Sequence, residues 1–228
     1  MRYILSALLV FSVLLTFAQS AENREIESFD KIEVFGNIKV EMKQGETESL
    51  WLKTKNIDLS DVETEVKDRK LKINTKSNLF EDEAEVIVKL TYVKLREISS
   101  NASAEIKILD KIKGDKLFAT ATSGGRILME VDLNAIELKS NQGAHIDIKG
   151  KCKVQESFIN TGGVLAAAEF RCKEVYIKMN TGGKAEVVAD EKIEANVNTG
   201  ANLSFFGKPT QKNLNSSLGG DITDWERE

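Results

Sequence analysis

The sequence predicts an all-β solenoid, a single-stranded parallel β-helix with about 19–20 residues per rung. Three observations carry this reading. A short corner recurs seven times: Asn101-Ala102-Ser103-Ala104, Thr122-Ser123-Gly124-Gly125, Asn141-Gln142-Gly143-Ala144, Asn160-Thr161-Gly162-Gly163, Asn180-Thr181-Gly182-Gly183, Asn198-Thr199-Gly200-Ala201 and Ser217-Leu218-Gly219-Gly220. The third positions of successive corners stand roughly 18–21 residues apart, the regularity of a stacked repeat. Each unit also carries period-2 alternation on both sides of the corner, such as Val175, Ile177 and Met179 before it and Leu203 and Phe205 after it. Alternation of that kind marks strands with one buried face. The unit is too short for a strand plus a crossover helix, and no helical apolar period is visible.

In chain order, residues 1–18 read as an export signal. Arg2 supplies a positive charge, Ile4 to Phe17 is almost continuously apolar, and Thr16 and Ala18 place small residues before a cut after Ala18. The apolar run is shorter than the ~20 residues that span a bilayer, and no Cys lies near the cut to carry a lipid. No second such run follows, so no transmembrane segment is expected once the signal is removed. Residues 19–92 form an N-terminal β section in which Phe29, Ile32, Val34, Ile38, Val40 and Met42 alternate with charges, and Asp68-Arg69 turns a hairpin between Val66 and Leu71. Residues 93–228 hold the regular repeats and a C-terminal cap. Trp225 is expected to cover the open end of the core, and Trp51 to pack near the other end. One continuous stack is expected, with two abutting solenoid sections as the alternative.

Within the repeats, Gly124, Gly143, Gly162, Gly182, Gly200 and Gly219 are the turn glycines, each followed by a small residue; the pair allows positive φ and close backbone approach. Stacking then aligns Asn101, Thr122, Asn141, Asn160, Asn180, Asn198 and Ser217 in one column. We read it as a structural polar ladder; a ligand-binding stripe is the other reading. Cys152 and Cys172 each lie at the same distance before their corner glycines, Gly162 and Gly182, and so at the same place on adjacent rungs. Rung spacing suits a disulfide, and an export compartment permits one. Two buried thiols or a redox pair are the alternatives, the latter without C-x-x-C spacing.

Composition closes several doors. With 41% hydrophobic residues the 228-residue chain can build a core, and one His and two Cys exclude a His-rich metal site and a multi-disulfide scaffold. A net charge of −4 argues against nucleic acid. The outward positions after each corner read Glu105, Arg126, His145, Val164, Lys184, Asn202 and Asp221, and two residues on Lys107, Leu128, Asp147, Ala166, Glu186, Ser204 and Thr223. The signs are mixed, as a solvated face requires. His145 with Asp147 is the nearest approach to an acid/base pair and reads as solvated. The acidic run Glu81-Asp82-Glu83 lacks the spacing of a calcium loop. Phe80 is a contact candidate or a loop anchor, and one of Phe205 and Phe206 belongs to the core. No catalytic, metal or cofactor-binding residue is assigned, and no cofactor is expected.

The opening Phe29-Asp30-Lys31-Ile32-Glu33-Val34-Phe35-Gly36-Asn37-Ile38-Lys39-Val40-Glu41-Met42-Lys43-Gln44-Gly45, the strand Leu71-Lys72-Ile73 and the Asn-Thr-Gly-Gly corners resemble the putative auto-transporter adhesin, head GIN domain family, over roughly residues 29 to 223. The resemblance implies a right-handed parallel β-helix in an exported bacterial protein, and right-handed crossovers are also the physical default. It brings no functional residues. The expected function is that of a non-catalytic adhesin-like module at the cell surface, outside the cell or in the periplasm, presenting a rigid face to a glycan or surface protein. A structural periplasmic envelope protein and a β-helix carbohydrate-active enzyme are the alternatives.

Overall fold

The computed structural model describes residues 19–76 and 84–225. Residues 1–18, expected to be an export signal, Phe80 and Glu81-Asp82-Glu83 lie outside the described residues. The chain is a parallel β-solenoid of about 7 turns, wound from one 16-stranded sheet, and no helix among the described residues is long and apolar enough to cross a membrane.

The N-terminal strands are β1 (Gln19–Arg24), β2 (Lys31–Phe35), β3 (Ile38–Gln44), β4 (Ser49–Lys55), β5 (Val62–Lys67), β6 (Lys70–Thr75), β7 (Glu85–Tyr92) and β8 (Glu97–Asn101). The repeats follow as β9 (Glu105–Thr122), β10 (Arg126–Asn141), β11 (His145–Asn160), β12 (Val164–Met179) and β13 (Lys184–Asn198), and the chain ends with β14 (Asn202–Phe206), β15 (Gln211–Ser217) and β16 (Asp221–Trp225). The two alternations of each unit join into one long strand that bends. In β11 the buried side chains run Ile146, Ile148, Cys152, then change parity to Gln155, Ser157 and Ile159. Each rung therefore has a first flank after the corner and a second flank before the next. Neighbouring rungs pair in parallel, with Ile127 opposite Ile146 and Leu138 opposite Ser157. Cys152 and Cys172 are register partners with Cα atoms 4.7 Å apart and their sulfurs joined.

The N-terminal rungs do not stack in chain order. β2 lies between β6 and β8, and β3 lies between β7 and β9, all parallel. The chain's first rung is thus held between the two rungs that follow it in sequence. β4 and β1 extend the first flank with antiparallel pairs, and β5 closes the second flank through its hairpin with β6. The hairpin loop Asp68-Arg69 has φ of 51° and 59°, the type I′ geometry that matches strand twist.

The corners are also type I′ turns, and this moves the positive φ by one residue from the expected place. In Asn160-Thr161-Gly162-Gly163, Thr161 has φ 48° and Gly162 71°, and Gly163 N–H donates to the Asn160 carbonyl at 3.0 Å. The second small residue instead stands just before the next strand and faces inward: Ala104, Ala144 and Ala201 are fully buried there, and a Cβ on Gly163 would collide with the Ser140 carbonyl oxygen. Left-handed geometry at both central positions turns the glycine N–H along the stack, so Gly162 donates to the Thr181 carbonyl and Gly182 to that of Thr199.

The C-terminal end corrects another expectation. Trp225 does not cover the core. It is register partner of Phe206 on the outward side, with 54% of its surface exposed. Lys212 and Asp224, opposite Ile193 and Phe205, share the inward positions of the last rung with Leu214 and Ile222 and form an ion pair. The Lys212 ammonium lies 5.3 Å from the centre of the buried Phe205 ring. Inward charge at a solenoid end protects a free strand edge.

Candidate functional site

Side-chain chemistry separates the two outward surfaces of the solenoid. On the first flank the rows expected from the sequence are in register, from Glu105 through Arg126, His145, Val164, Lys184 and Asn202 to Asp221. His145 Nε2 lies 3.6 Å from Asp147 Oδ2 and both side chains are part-exposed. Towards the bend, charges neutralise one another between rungs: Lys111–Glu130, Lys149–Glu169, Arg171–Asp190 and Lys173–Glu191 all pair at 2.7–2.8 Å. Hydrogen bonds to the facing glutamates, reinforced by their charge, hold Lys111, Lys149 and Lys173 above the usual lysine pKa. Among the described residues, no group of three or more His, Cys, Asp or Glu side chains is placed to hold a metal ion.

The second flank is different because three aromatic rings face out from it. In β9, β11 and β12 the inward positions are taken by Leu117 and Ala119, Ser157 and Ile159, and Val175 and Ile177. Strand parity therefore turns Phe118, Phe158 and Tyr176 towards solvent. Phe118, Glu137, Glu156, Tyr176 and Glu194 form one column in register, and Thr120, Lys139, Phe158, Lys178 and Asn196 the next. Phe158 is diagonal to Tyr176, and Phe118 stands three rungs from Tyr176, roughly 14 Å at the usual strand spacing.

Each ring carries a lysine: Lys116 at 4.5 Å from the Phe118 centroid, Lys139 at 5.6 Å from Phe158 and Lys192 at 4.7 Å from Tyr176. The Tyr176 hydroxyl donates to Glu174 Oε2 at 2.7 Å and accepts from Lys192 Nζ at 3.3 Å. Lys139 pairs with Glu137 at 2.7 Å. The hydrogen bond to Tyr176 leads the influences that raise the Lys192 pKa. These contacts fix the rings as a platform. A shallow depression of about 230 Å³ between Phe158 and Tyr176 is edged by Glu156, Lys178, Glu194 and Asn196. Ring faces accept the C–H faces of sugars, and the surrounding carboxylates, ammonium groups and amides exchange hydrogen bonds with hydroxyls.

The corner column borders this flank. Thr122 Oγ1 donates to Asn101 Oδ1 at 2.6 Å, Asn198 Nδ2 to Asn180 Oδ1 at 3.2 Å, and Ser217 Oγ to Asn198 Oδ1, while Asn141 and Asn160 are register partners. The bridged cysteines are buried in the core, away from both surfaces. Phe205 is buried and Phe206 faces the other way, and Trp51 lies part-buried under Lys89. Sequence reasoning missed Phe118, Phe158 and Tyr176. The signal was their parity, since each is flanked on both sides by inward-facing neighbours, but lone aromatics in an apolar strand are easily counted as core.

A family model described as "Putative auto-transporter adhesin, head GIN domain" matches residues 28–209. The fold is shared with the crystal structure of a putative adhesin from Bacteroides fragilis NCTC 9343, with TM-score 0.79 and 17% identity over 92% of this chain and 98% of that one. A putative lipid binding protein from Parabacteroides distasonis ATCC 8503 aligns with TM-score 0.72 and 17% identity over 91% and 96%. A putative adhesin from Parabacteroides merdae ATCC 43184 aligns with TM-score 0.68 and 17% identity over the same shares. At such identities the likeness concerns the fold alone. No protein of the curated set matches the chain.

Proposed function

The chain belongs to the head GIN domain family, and we propose that it is an exported, non-catalytic, adhesin-like protein that holds a glycan against the second flank of its solenoid at the cell envelope. The observation that carries the reading is the row Phe118, Phe158 and Tyr176, three outward rings on one flat flank with a depression between two of them. Exposed aromatics gathered on one face of a folded domain mark contact surfaces. Their span suits several linked sugars better than one. Three of the carboxylates beside the rings are engaged, Glu137 by Lys139, Glu194 by Lys192 and Glu174 by Tyr176, which favours binding over bond cleavage.

Two measurements test this. On a glycan array the parent protein should retain at least one class of oligosaccharide, and Phe158→Ala with Tyr176→Ala should weaken that binding about tenfold or more. Because the rings are surface groups, the melting temperature of the variant should stay near that of the parent. Unchanged binding by the variant, or an array that retains nothing, defeats the reading. Protease treatment of intact cells supplies the location: digestion places the flank outside, and protection turns the search for ligands to the periplasm.

A further inference from the structure

A second feature adjoins the aromatic flank. Where the N-terminal rungs meet the repeats, a cleft of about 400 Å³ is walled by Tyr92, Lys94, Arg96, Lys113, Asp115 and Lys116. Ile112 and Leu133 contribute apolar surface to it. Four of the residues that line it, Lys94, Arg96, Lys113 and Lys116, are cations. Arg96 is committed to Asp30, but among the described residues Lys94, Lys113 and Lys116 form no ion pair with a carboxylate. Asp115, the one acid in the wall, is held by the Asn134 amide at 2.8 Å.

The second, independent observation is Tyr92. It is 2% exposed and its hydroxyl has no hydrogen-bond partner among the described residues. A buried hydroxyl without a partner is costly, and this one belongs to a residue that lines a cleft whose other polar side chains are mostly cations. Burial, helped by the charge of Asp110, pushes its pKa up to about 12, so it is a donor at neutral pH. Lysine ammonium groups with one fixed O–H donor are the complement of an anionic oxygen. Lys116 belongs to both features, because it lines the cleft and stands over Phe118.

We infer that this cleft takes the acidic group, a carboxylate or sulfate, of a charged saccharide whose neighbouring rings lie along the aromatic flank. The inference rests on the glycan reading and narrows it to acidic polysaccharides. The probes are polygalacturonate and chondroitin sulfate, with neutral dextran as control, in affinity electrophoresis at low and high salt. The parent should be retarded by an acidic polymer well beyond dextran, and less so as salt rises. Lys94→Ala with Lys113→Ala should weaken retardation about tenfold with the melting curve unchanged. Tyr92→Phe removes the orphaned hydroxyl and should weaken binding severalfold while the protein melts no lower than the parent, a combination that a purely structural tyrosine would not give.

Retardation by acidic polymers no stronger than by dextran overturns the inference, as does full binding by both variants. Capture by anionic phospholipid vesicles without retention by either acidic polymer also overturns it, in favour of a lipid headgroup. The glycan reading fails separately, when the Phe158 and Tyr176 variant binds like the parent.

Discussion

Replacing Asp30 by Asn removes a charge that three rungs share. Because β2 is inserted between β6 and β8, the residues just before these strands, Arg69, Asp30 and Arg96, fall side by side. Asp30 Oδ2 accepts from Arg69 Nε at 3.0 Å and Arg96 Nη2 at 2.8 Å, and its backbone N–H and carbonyl bond to both neighbours. Two hydrogen bonds to a charged group are worth about 1.5–3 kcal/mol each. Both arginines are about half exposed, at 55% and 51%, so solvent screening roughly halves that sum. The buried Oδ1, unpartnered among the described residues, subtracts a little more. What remains for the clamp is about 2 kcal/mol.

Burial pushes the Asp30 carboxyl up, but hydrogen bonds and charge from Arg96 and Arg69 outweigh it and hold the pKa below its ordinary value. A depressed native pKa stabilises the fold fully above the unfolded value of ~3.9, and the contribution disappears as pH falls through the native value. With a urea slope of ~2 kcal/mol per molar, the parent and Asp30→Asn midpoints should differ by about 1 M at pH 7 and converge as acid protonates Asp30 in the native state. Circular dichroism in urea at neutral pH and along a descending acid series reads this directly. Coincident curves at neutral pH, or a gap that persists undiminished in acid, would refute the clamp.

Thr181 is a β-branched residue at φ 50°, so Thr181→Asn should raise stability by about 1 kcal/mol, whereas Gly182→Val, at φ 70° with open space around its Cα, should lower it by about 1–2 kcal/mol through the backbone alone; thermal melts of the two variants check both signs. The Cys152–Cys172 bridge closes a sequence separation of 20, and reduction, or Cys152→Ala with Cys172→Ala, should cost about 3 kcal/mol; thiol titration of the unreduced protein in denaturant should find no free Cys. Lys212→Leu with Asp224→Leu turns the inward end of the last rung apolar beside unpaired strand edges, and sedimentation should then show self-association that the parent lacks.

The repeat was legible because stacking imposes the same requirement at every corner, so spacing, strand parity and the cysteine register could all be read from the chain. The turn type was less so: Thr161, Thr181 and Thr199 occupy left-handed positions that their own preferences oppose, and the stacked corner hydrogen bonds overrule them. The order of the first rungs was not legible, since β2 and β6 carry similar alternating patterns and either could have bordered β8. The end of the core defeated the reading by size: a tryptophan after the last rung suggested a lid, whereas the inward side of that rung includes Lys212 and Asp224, two residues that resemble any surface charge. The candidate surface was not read at all, since Phe118, Phe158 and Tyr176 are widely separated in the chain and only the register of the rungs gathers them on one flank.

The inserted first rung bears on how the molecule is made. In the repeats a strand meets its partner within the next rung, as Arg126 meets His145. Lys31 meets Glu97 only after β3 to β7 have intervened, and both neighbours of β2 are still to come when β2 emerges. A chain delivered N-terminus first therefore cannot zip from its beginning. Closing so long a loop is slow, whereas the repeats can nucleate locally and propagate in either direction. Folding should start among β9 to β13 and finish with the N-terminal rungs, so the early segment stays unpaired, and available to a chaperone or a protease, until β6 and β8 have followed it.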